Sequence, residues 1–266
     1  MPETDIDKEK VNKIVKKRLK TDLTADDRII HLFAFDHNQK RPVIGTDEAG
    51  RGPAAGGVFA SAVCFSETNR DLIEKLMILN DSKQLTKKKR ETLYDIILEN
   101  SLNATVCVEV EEIEKINILN ASLKAMRLAC LDVVKQLQVV QNIASLPELS
   151  NTKEANAELQ IIPRNGIMTL VDGNKMITDY PYSQRWVIKG DSRSATIAAA
   201  SILAKVTRDR YMEKLDKEFP QYGWAKNAGY LTKEHLDAID KYGLSPYHRA
   251  SFLKKHFAKQ EQLTLF

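Results

Sequence analysis

The sequence has few cysteines and no long apolar segment. Its three cysteines, Cys64, Cys107 and Cys130, lie far apart in apolar stretches and form no C-x-x-C pair. Isolated cysteines in odd number argue against a disulfide framework and are typical of reduced, buried thiols. No apolar run reaches the ~18 residues of a membrane-spanning helix or forms the core of a signal peptide. We therefore expect a soluble, cytoplasmic protein without a membrane partner.

Charge of one sign is not in large excess either. Forty Lys and Arg against 36 Asp and Glu leave a net charge of +4, which argues only weakly for a polyanionic partner. Basic residues nevertheless outnumber acidic ones between Lys205 and Lys259. This segment is compatible with a nucleic-acid footprint and equally with an ordinary solvated surface.

The stretch VIGTDEAGRGP, residues 43–53, gives the clearest indication of chemistry. Four residues of strand character lead to two adjacent carboxylates, Asp47 and Glu48. The turn that follows contains Gly50, Arg51 and Gly52. Acids at a strand end suit a divalent metal, and glycines let backbone N–H groups approach a phosphate closely. Taken alone, these residues fit an ordinary hairpin with a solvated Asp-Glu pair equally well.

Two more acids are expected at strand ends. The run IMTLVDGN, residues 167–174, contains Asp172, and RWVIKGD, residues 185–191, ends in Asp191. A helix with a serine cap and an alanine-rich face is predicted over residues 192–212, and its positive end would help to keep Asp191 ionised. If these strands lie beside the strand that carries Asp47 and Glu48, four carboxylates meet in one cleft.

Four clustered carboxylates imply a bound cation. They would raise one another's pKa values by repulsion unless positive charge is shared among them. Oxygen ligands without a His or Cys set suit Mg²⁺ or Mn²⁺ rather than zinc. Two such ions, about 3.5–4 Å apart, can activate water and stabilise the leaving oxygen in phosphodiester cleavage. The pattern predicts metal-dependent phosphoryl transfer, although spacing alone does not exclude four unrelated surface acids.

Other segments carry weaker predictions. Periodicity indicates an amphipathic helix over residues 8–20, a strand over 103–110 and a helix over 111–137, whereas the polar residues 141–163 indicate a surface loop. The segment NDSKQLT, residues 80–86, precedes a further helix. Ser82 or Thr86 can cap it, and Ser82 with Lys83 could seat a phosphate at its amino terminus.

Five segments together resemble the bacterial type 2 ribonuclease H family, ribonuclease HII. They are DEAGRGP at 47–53, NDSKQLT at 80–86, VDGN at 171–174, KGDSRSATIAAASILAKVTRD at 189–209 and YGLSPYHRASF at 242–252. They occur in the family's order and span roughly residues 40–255. The resemblance implies an α/β protein with the ribonuclease H-like fold: a five-stranded mixed sheet, its first three strands antiparallel, flanked by helices, with a helical carboxy-terminal region.

The resemblance also implies roles for individual residues. The family's metal-binding acids fall on Asp47, Glu48, Asp172 and Asp191, with Asp47 shared by two Mg²⁺ or Mn²⁺ ions. Its glycine-arginine-glycine motif, which contacts the 2′-hydroxyl and phosphates of the ribonucleotide, falls on Gly50, Arg51 and Gly52. The 2′-hydroxyl is the group that separates RNA from DNA, and close backbone approach to it needs glycine. The tyrosine that stacks on the following sugar falls on Tyr230, and Ser82 and Lys83 are further candidates for phosphate contact.

The implied substrates are RNA/DNA hybrids and duplex DNA containing ribonucleotides. Cleavage of the RNA strand, and cleavage 5′ to a single embedded ribonucleotide, would leave 3′-hydroxyl and 5′-phosphate ends during ribonucleotide removal and primer clearance. A hybrid-specific ribonuclease HIII is an alternative, but its extra amino-terminal domain needs more than the ~40 residues before Val43. A non-catalytic nucleic-acid-binding protein is disfavoured by the four acids, and a DNA-directed nuclease by Arg51 and Tyr230.

The carboxy-terminal peptide QLTLF resembles the short motif by which bacterial DNA-processing proteins bind the sliding clamp. Gln262 would make polar contacts, and Leu263, Leu265 and Phe266 would make apolar ones. The same leucines could instead pack on their own domain. The expected organisation is a monomer with an amino-terminal helical extension (1–40), a catalytic domain with a helical carboxy-terminal part (41–255) and a tail (256–266).

Overall fold

A five-stranded mixed sheet organises the chain, whose computed structural model describes residues 25–66, 68–80, 82–144 and 162–264. Its strands are β1 (Val43–Ala49), β2 (Val58–Cys64), β3 (Leu102–Val108), β4 (Met168–Asp172) and β5 (Gln184–Val187), in the order β3-β2-β1-β4-β5. The pairs β1–β2 and β2–β3 are antiparallel, whereas β1–β4 and β4–β5 are parallel. The predicted mixed sheet, with its first three strands antiparallel, is confirmed.

Helices cover both faces of this sheet. They are α1 (Ala25–His37), α2 (Arg70–Lys75), α3 (Lys87–Asn100), α4 (Val110–Ile116), α5 (Ile118–Ala144), α6 (Ala195–Glu218), α7 (Trp224–Asn227), α8 (Lys233–Tyr242) and α9 (Ala250–Thr264). Ala62 of β2 packs in one core with α5, and its neighbour Val63 packs in a second core with α1, α3 and α6. Because side chains alternate along a strand, these two cores lie on opposite faces of the sheet.

Helix α6 lies unusually close to β1. A Cβ atom on Gly45 would come within 2.3 Å of the backbone of Thr196 and Ile197, so only glycine permits this approach. The alanine-rich face predicted for this helix is buried, and the side chain of Ser194 caps its amino terminus by accepting the N–H of Ile197 at 3.2 Å. The close contact sets α6 against the strand that carries Asp47.

The helix predicted over residues 111–137 is instead two helices. Asn117, with a left-handed φ of 64°, separates α4 from α5, and its side chain accepts the N–H of Asn120 at 3.1 Å. Helix α5 then continues to Ala144, so residues 141–144 of the predicted loop are helical. The rest of that loop up to residue 161, and the helix predicted over residues 8–20, lie outside the described residues.

The carboxy-terminal region packs around Trp224, which is fully buried. Its indole N–H donates to His235 at 3.1 Å, and His235 in turn lies 3.1 Å from His248, so both histidines belong to the interior. Residues 256–264, which the sequence places in a tail, continue α9. Among the described residues, no helix combines the length and apolar character that crossing a bilayer requires.

Candidate active site

The register of two parallel strands brings Asp47 and Asp172 to neighbouring positions. Thr46 of β1 pairs with Val171 of β4, and the next residue on each strand is an aspartate. One carboxylate oxygen of Asp47 accepts the N–H of Glu48 at 2.7 Å. The Ser201 hydroxyl of α6 also bonds to the Asp47 carboxylate. Two elements, β1 and α6, therefore fix the orientation of Asp47.

Asp191 does not lie at the end of β5, as the sequence predicts, but in a single turn of 3-10 helix, Gly190–Ser192. The strand ends at Val187, and Lys189 then adopts a left-handed φ of 52° that turns the chain. The N–H of Gly190 donates to Asp172 Oδ1 at 2.7 Å. Asp191 thus directly follows the residue that contacts Asp172, and a turn rather than a strand end delivers it.

The three carboxyl groups of Asp47, Glu48 and Asp172 interact through their charges. Burial, followed by the negative charges of Glu48 and Asp172, raises the pKa of Asp47 well above its ordinary value. Burial also raises the pKa of Glu48, against the opposing effect of Arg51. Because only 8% of Asp47 is exposed, water screens this repulsion poorly. A hard divalent cation that takes oxygen ligands would relieve it, so the donor set fits such an ion.

The carboxylates of Glu48 and Asp172 interact with other groups of the protein. Glu48 Oε1 lies 3.1 Å from Arg51 Nη1, and Asp172 accepts the N–H of Gly190. Within the described ranges, no three Asp, Glu, His or Cys side chains are close enough together to hold a metal ion. The acids fit a cation in ligand type and charge, whereas their present positions do not form a ligand set, and Glu48 is held toward Arg51.

The glycine-arginine-glycine motif and Tyr230 lie together. Gly50 has a φ of 102°, which favours glycine. A Cβ atom on Gly52 would lie 3.2 Å from the ring of Tyr230, so this glycine sits directly against the tyrosine. Tyr230 remains 54% exposed, and the Arg51 side chain is 49% exposed. Both side chains can therefore meet a ligand from solvent, next to the acid that Arg51 contacts.

Ser82 lies inside the protein. It is 4% exposed, and its hydroxyl lies 3.0 Å from that of Ser201. Thr86, rather than Ser82, caps α3 through the N–H of Lys89. Ser201 itself was not among the predicted site residues; the available signal was a hydroxyl on an otherwise apolar, alanine-rich helix face. The Ser82 hydroxyl therefore contacts the Ser201 hydroxyl, which in turn bonds to the Asp47 carboxylate.

Of the predicted clamp-binding residues, Gln262 and Leu263 lie within α9. Leu265 and Phe266 lie outside the described residues.

Comparison with known proteins decides the family. A sequence profile described as Ribonuclease HII matches residues 44–260. This chain belongs to the ribonuclease HII family. The ribonuclease HII of Fusobacterium nucleatum is 45% identical over 234 residues, which cover 88% of this chain and 95% of that protein. The predicted family is confirmed, and the chain is a ribonuclease H enzyme rather than a non-catalytic binding protein.

Solved structures share the fold. Ribonuclease H2 from Pyrococcus horikoshii is 26% identical, with a TM-score of 0.51 over 79% of this chain and 93% of that one. The ribonuclease HII of Archaeoglobus fulgidus, solved in complex with PCNA, is 22% identical, with a TM-score of 0.50 over 78% of this chain and 93% of that one. The ribonuclease H-like fold predicted from the sequence is confirmed.

Proposed function

We propose that this ribonuclease HII cleaves RNA/DNA hybrids and also cuts 5′ to single ribonucleotides embedded in duplex DNA. Hydrolysis would leave 3′-hydroxyl and 5′-phosphate ends and would serve ribonucleotide removal and primer clearance. The observation that carries the proposal is the contact of Gly52 with Tyr230, at a loop whose Arg51 reaches Glu48. A surface suited to a ribose thus adjoins the buried Asp47 and the partly buried Glu48.

Asp47, Glu48, Asp172 and Asp191 are the proposed ligands of two Mg²⁺ or Mn²⁺ ions. Ribonucleases HII in general depend on divalent metal ions. When bound, such ions supply a water of lowered pKa and stabilise the charge of the leaving oxygen. The Ser201 hydroxyl and the Gly190 N–H hold the carboxylates of Asp47 and Asp172 in place.

The loop at residues 50–52 is the proposed reader of the 2′-hydroxyl. Gly50 and Gly52 carry no Cβ that would keep a sugar away from their backbone. Arg51 is exposed enough to exchange Glu48 for a substrate phosphate, which would leave the Glu48 carboxylate available as a ligand. Tyr230 would stack on the sugar after the ribonucleotide. A phosphate contact by Ser82 or Lys83 stays a prediction.

A cleavage assay tests this function. Three duplexes are compared: DNA with one ribonucleotide, the same DNA without it, and an RNA/DNA hybrid, each with Mg²⁺, Mn²⁺ or EDTA. We expect metal-dependent cleavage 5′ to the lone ribonucleotide and none in the all-DNA control. Cleavage of the hybrid alone would contradict the proposed role of Tyr230.

We also propose that the QLTLF peptide, residues 262–266, binds a sliding clamp. The complex of the Archaeoglobus fulgidus ribonuclease HII with PCNA supports a clamp partner for this family. Gln262 and Leu263 lie on the last turns of α9, which would carry the peptide. An amide and three apolar side chains suit a polar contact beside an apolar pocket.

A further inference from the structure

Two buried arginines hold the loop between Gly50 and Gly57. Arg208 of α6 is 2% exposed, and Arg249, which immediately precedes α9, is fully buried. Arg208 donates to the carbonyl oxygens of Ala55 at 3.0 Å and of Gly57 at 3.3 Å. Both carbonyls belong to the loop that begins with the glycine-arginine-glycine motif.

Arg249 binds other carbonyl oxygens of the same loop. Its Nε and Nη2 donate to the carbonyl oxygen of Gly56 at 2.9 and 2.6 Å, and its Nη1 donates to that of Pro53 at 2.8 Å. Its backbone N–H also donates to the Ala54 carbonyl at 2.7 Å. The planar guanidinium fork therefore fixes two points of the loop at once.

The hydrogen bonds that Arg208 and Arg249 donate from their guanidinium groups go to backbone carbonyl oxygens. Burial lowers the pKa of both, and the charge of Arg208 further lowers the pKa of Arg249, to about 10. Both groups nevertheless stay charged at neutral pH, because a guanidinium is not deprotonated in proteins. Removing a charge from water is costly. The loop carbonyls offset part of this cost for both guanidinium groups, so these hydrogen bonds favour one position of the loop.

The backbone of the carboxy-terminal region also forms hydrogen bonds with the loop. The N–H of Ala54 donates to the Gly229 carbonyl at 2.9 Å, and the N–H of Gly56 donates to that of Tyr247 at 2.8 Å. A Cβ atom on Gly50 would lie 2.3 Å from Arg208 Nε, so this glycine rests on the arginine side chain. Residues far along the chain thus determine how the loop is presented.

We propose that Arg208 and Arg249 are positioning residues for ribonucleotide recognition. They hold the loop so that Gly50, Arg51 and Gly52 face the ribose, and their charges favour a phosphate on its outer side. This role rests on the proposed function of the loop. Neither side chain touches the four acids in the contacts described, so the arginines act on substrate affinity rather than on the chemical step.

Arg249→Lys and Arg208→Lys test the proposal, because lysine keeps the charge but loses the planar fork. For duplex DNA with one ribonucleotide, we expect KM to rise roughly tenfold and kcat to stay within about threefold. Hydrogen exchange at the Ala54 and Gly56 amides should accelerate in both variants. The control is Leu93→Ala, which opens the buried cluster shared by α1, α3 and α6. No residue of the loop belongs to that cluster, so this variant should lower Tm while leaving KM unchanged.

An unchanged KM in both lysine variants would overturn the proposal, and so would an equal rise in KM in Leu93→Ala. A fall in kcat at constant KM would also contradict it, because the arginines would then act on the chemistry. Failure of the wild-type enzyme to cleave any ribonucleotide-containing duplex would instead sink the proposed function. In that case the recognition role falls with it, and amide exchange alone reports whether the arginines hold the loop.

Discussion

The backbone N–H of Gly190 donates a 2.7 Å hydrogen bond to the carboxylate of Asp172. This bond ties the turn that carries Asp191 to the end of β4. Without it, two acids from different elements would have no fixed relation. The proposed metal site therefore depends on a residue that has no functional group of its own.

Substituting Gly190 with alanine should disturb this relation. The added methyl would lie 2.5 Å from Ile197 Cδ1 and 3.0 Å from Asp172 Oδ1, so the turn must shift. We expect cleavage to fall roughly tenfold or more, with a loss of about 1–3 kcal/mol in unfolding free energy. The matched control is Gly166→Ala, where a methyl would meet Pro163 and Ile162 at 3.0–3.1 Å. Equal losses of activity in the two variants would contradict a specific role for the Gly190 turn.

Asp47→Asn should abolish cleavage while sparing hybrid binding. The proposed shared ligand is lost, so we expect kcat to fall by roughly 10³-fold or more. Burial and neighbouring charges raise the pKa of Asp47, so its ionised form destabilises the metal-free protein at neutral pH. The variant should therefore have a higher Tm than the wild type in EDTA. A lower Tm together with retained cleavage would refute both parts.

Tyr230→Ala should impair cleavage at embedded single ribonucleotides more than cleavage of long hybrids. Loss of stacking on one sugar is expected to reduce kcat/KM roughly tenfold, because a long hybrid offers further contacts. Tyr230→Phe should retain most of the activity. Tyr242→Ala is a matched control, since Tyr242 is equally exposed, at 54%, and lies on α8. Equal loss on both substrates would refute the stacking role.

Asp36 should make the stability depend on pH. Burial raises its pKa from 3.8 to about 6, and its Oδ2 accepts the N–H of Thr196 at 2.9 Å. Between these pH values the folded state keeps a proton that the unfolded state has lost, so stability falls as pH rises from about 4 to 6. Asp36→Asn should remove that fall, which amounts to roughly 3 kcal/mol. Denaturant titrations of both proteins at pH 4 and pH 7 measure it, and a difference independent of pH would contradict the assignment.

Phe266→Ala should weaken binding to a bacterial sliding clamp without changing cleavage. Removing an apolar anchor from a short peptide is expected to reduce affinity at least tenfold. Fluorescence anisotropy with labelled clamp measures binding, and the single-ribonucleotide duplex measures activity. Thr264→Ser is the control, because it changes the same peptide without removing an apolar anchor. Unchanged clamp affinity in Phe266→Ala would contradict the proposal that the tail binds a sliding clamp.

Strand patterns were enough to predict individual strands and the place of two acids on them, whereas the five-stranded mixed sheet was predicted from the resemblance to ribonuclease HII. Asp47 and Asp172 end up side by side because β1 and β4 pair in parallel, and alternation and buried runs indicate both strands. Asp191 was placed wrongly because a left-handed lysine, Lys189, has no strong sequence signal. Asn117 likewise has a positive φ that its sequence context does not indicate, and it divides the single helix predicted over residues 111–137 into α4 and α5.

Long-range side-chain contacts could not be predicted. Ser201 lies on an alanine-rich helix face and reaches Asp47 only because Gly45 lets α6 approach β1. Arg208 and Arg249 are ordinary basic residues in the sequence, and their role in the loop follows from contacts across more than 150 positions. Such contacts depend on tertiary packing, which periodicity does not encode.

Anomalous X-ray diffraction from crystals of the protein grown with Mn²⁺ and an uncleavable ribonucleotide duplex tests the central claim most directly. The account predicts manganese bound by the carboxylates of Asp47, Glu48, Asp172 and Asp191, with Arg51 moved from Glu48 to a phosphate. Manganese bound elsewhere, or a duplex bound with these carboxylates free of metal, would contradict it.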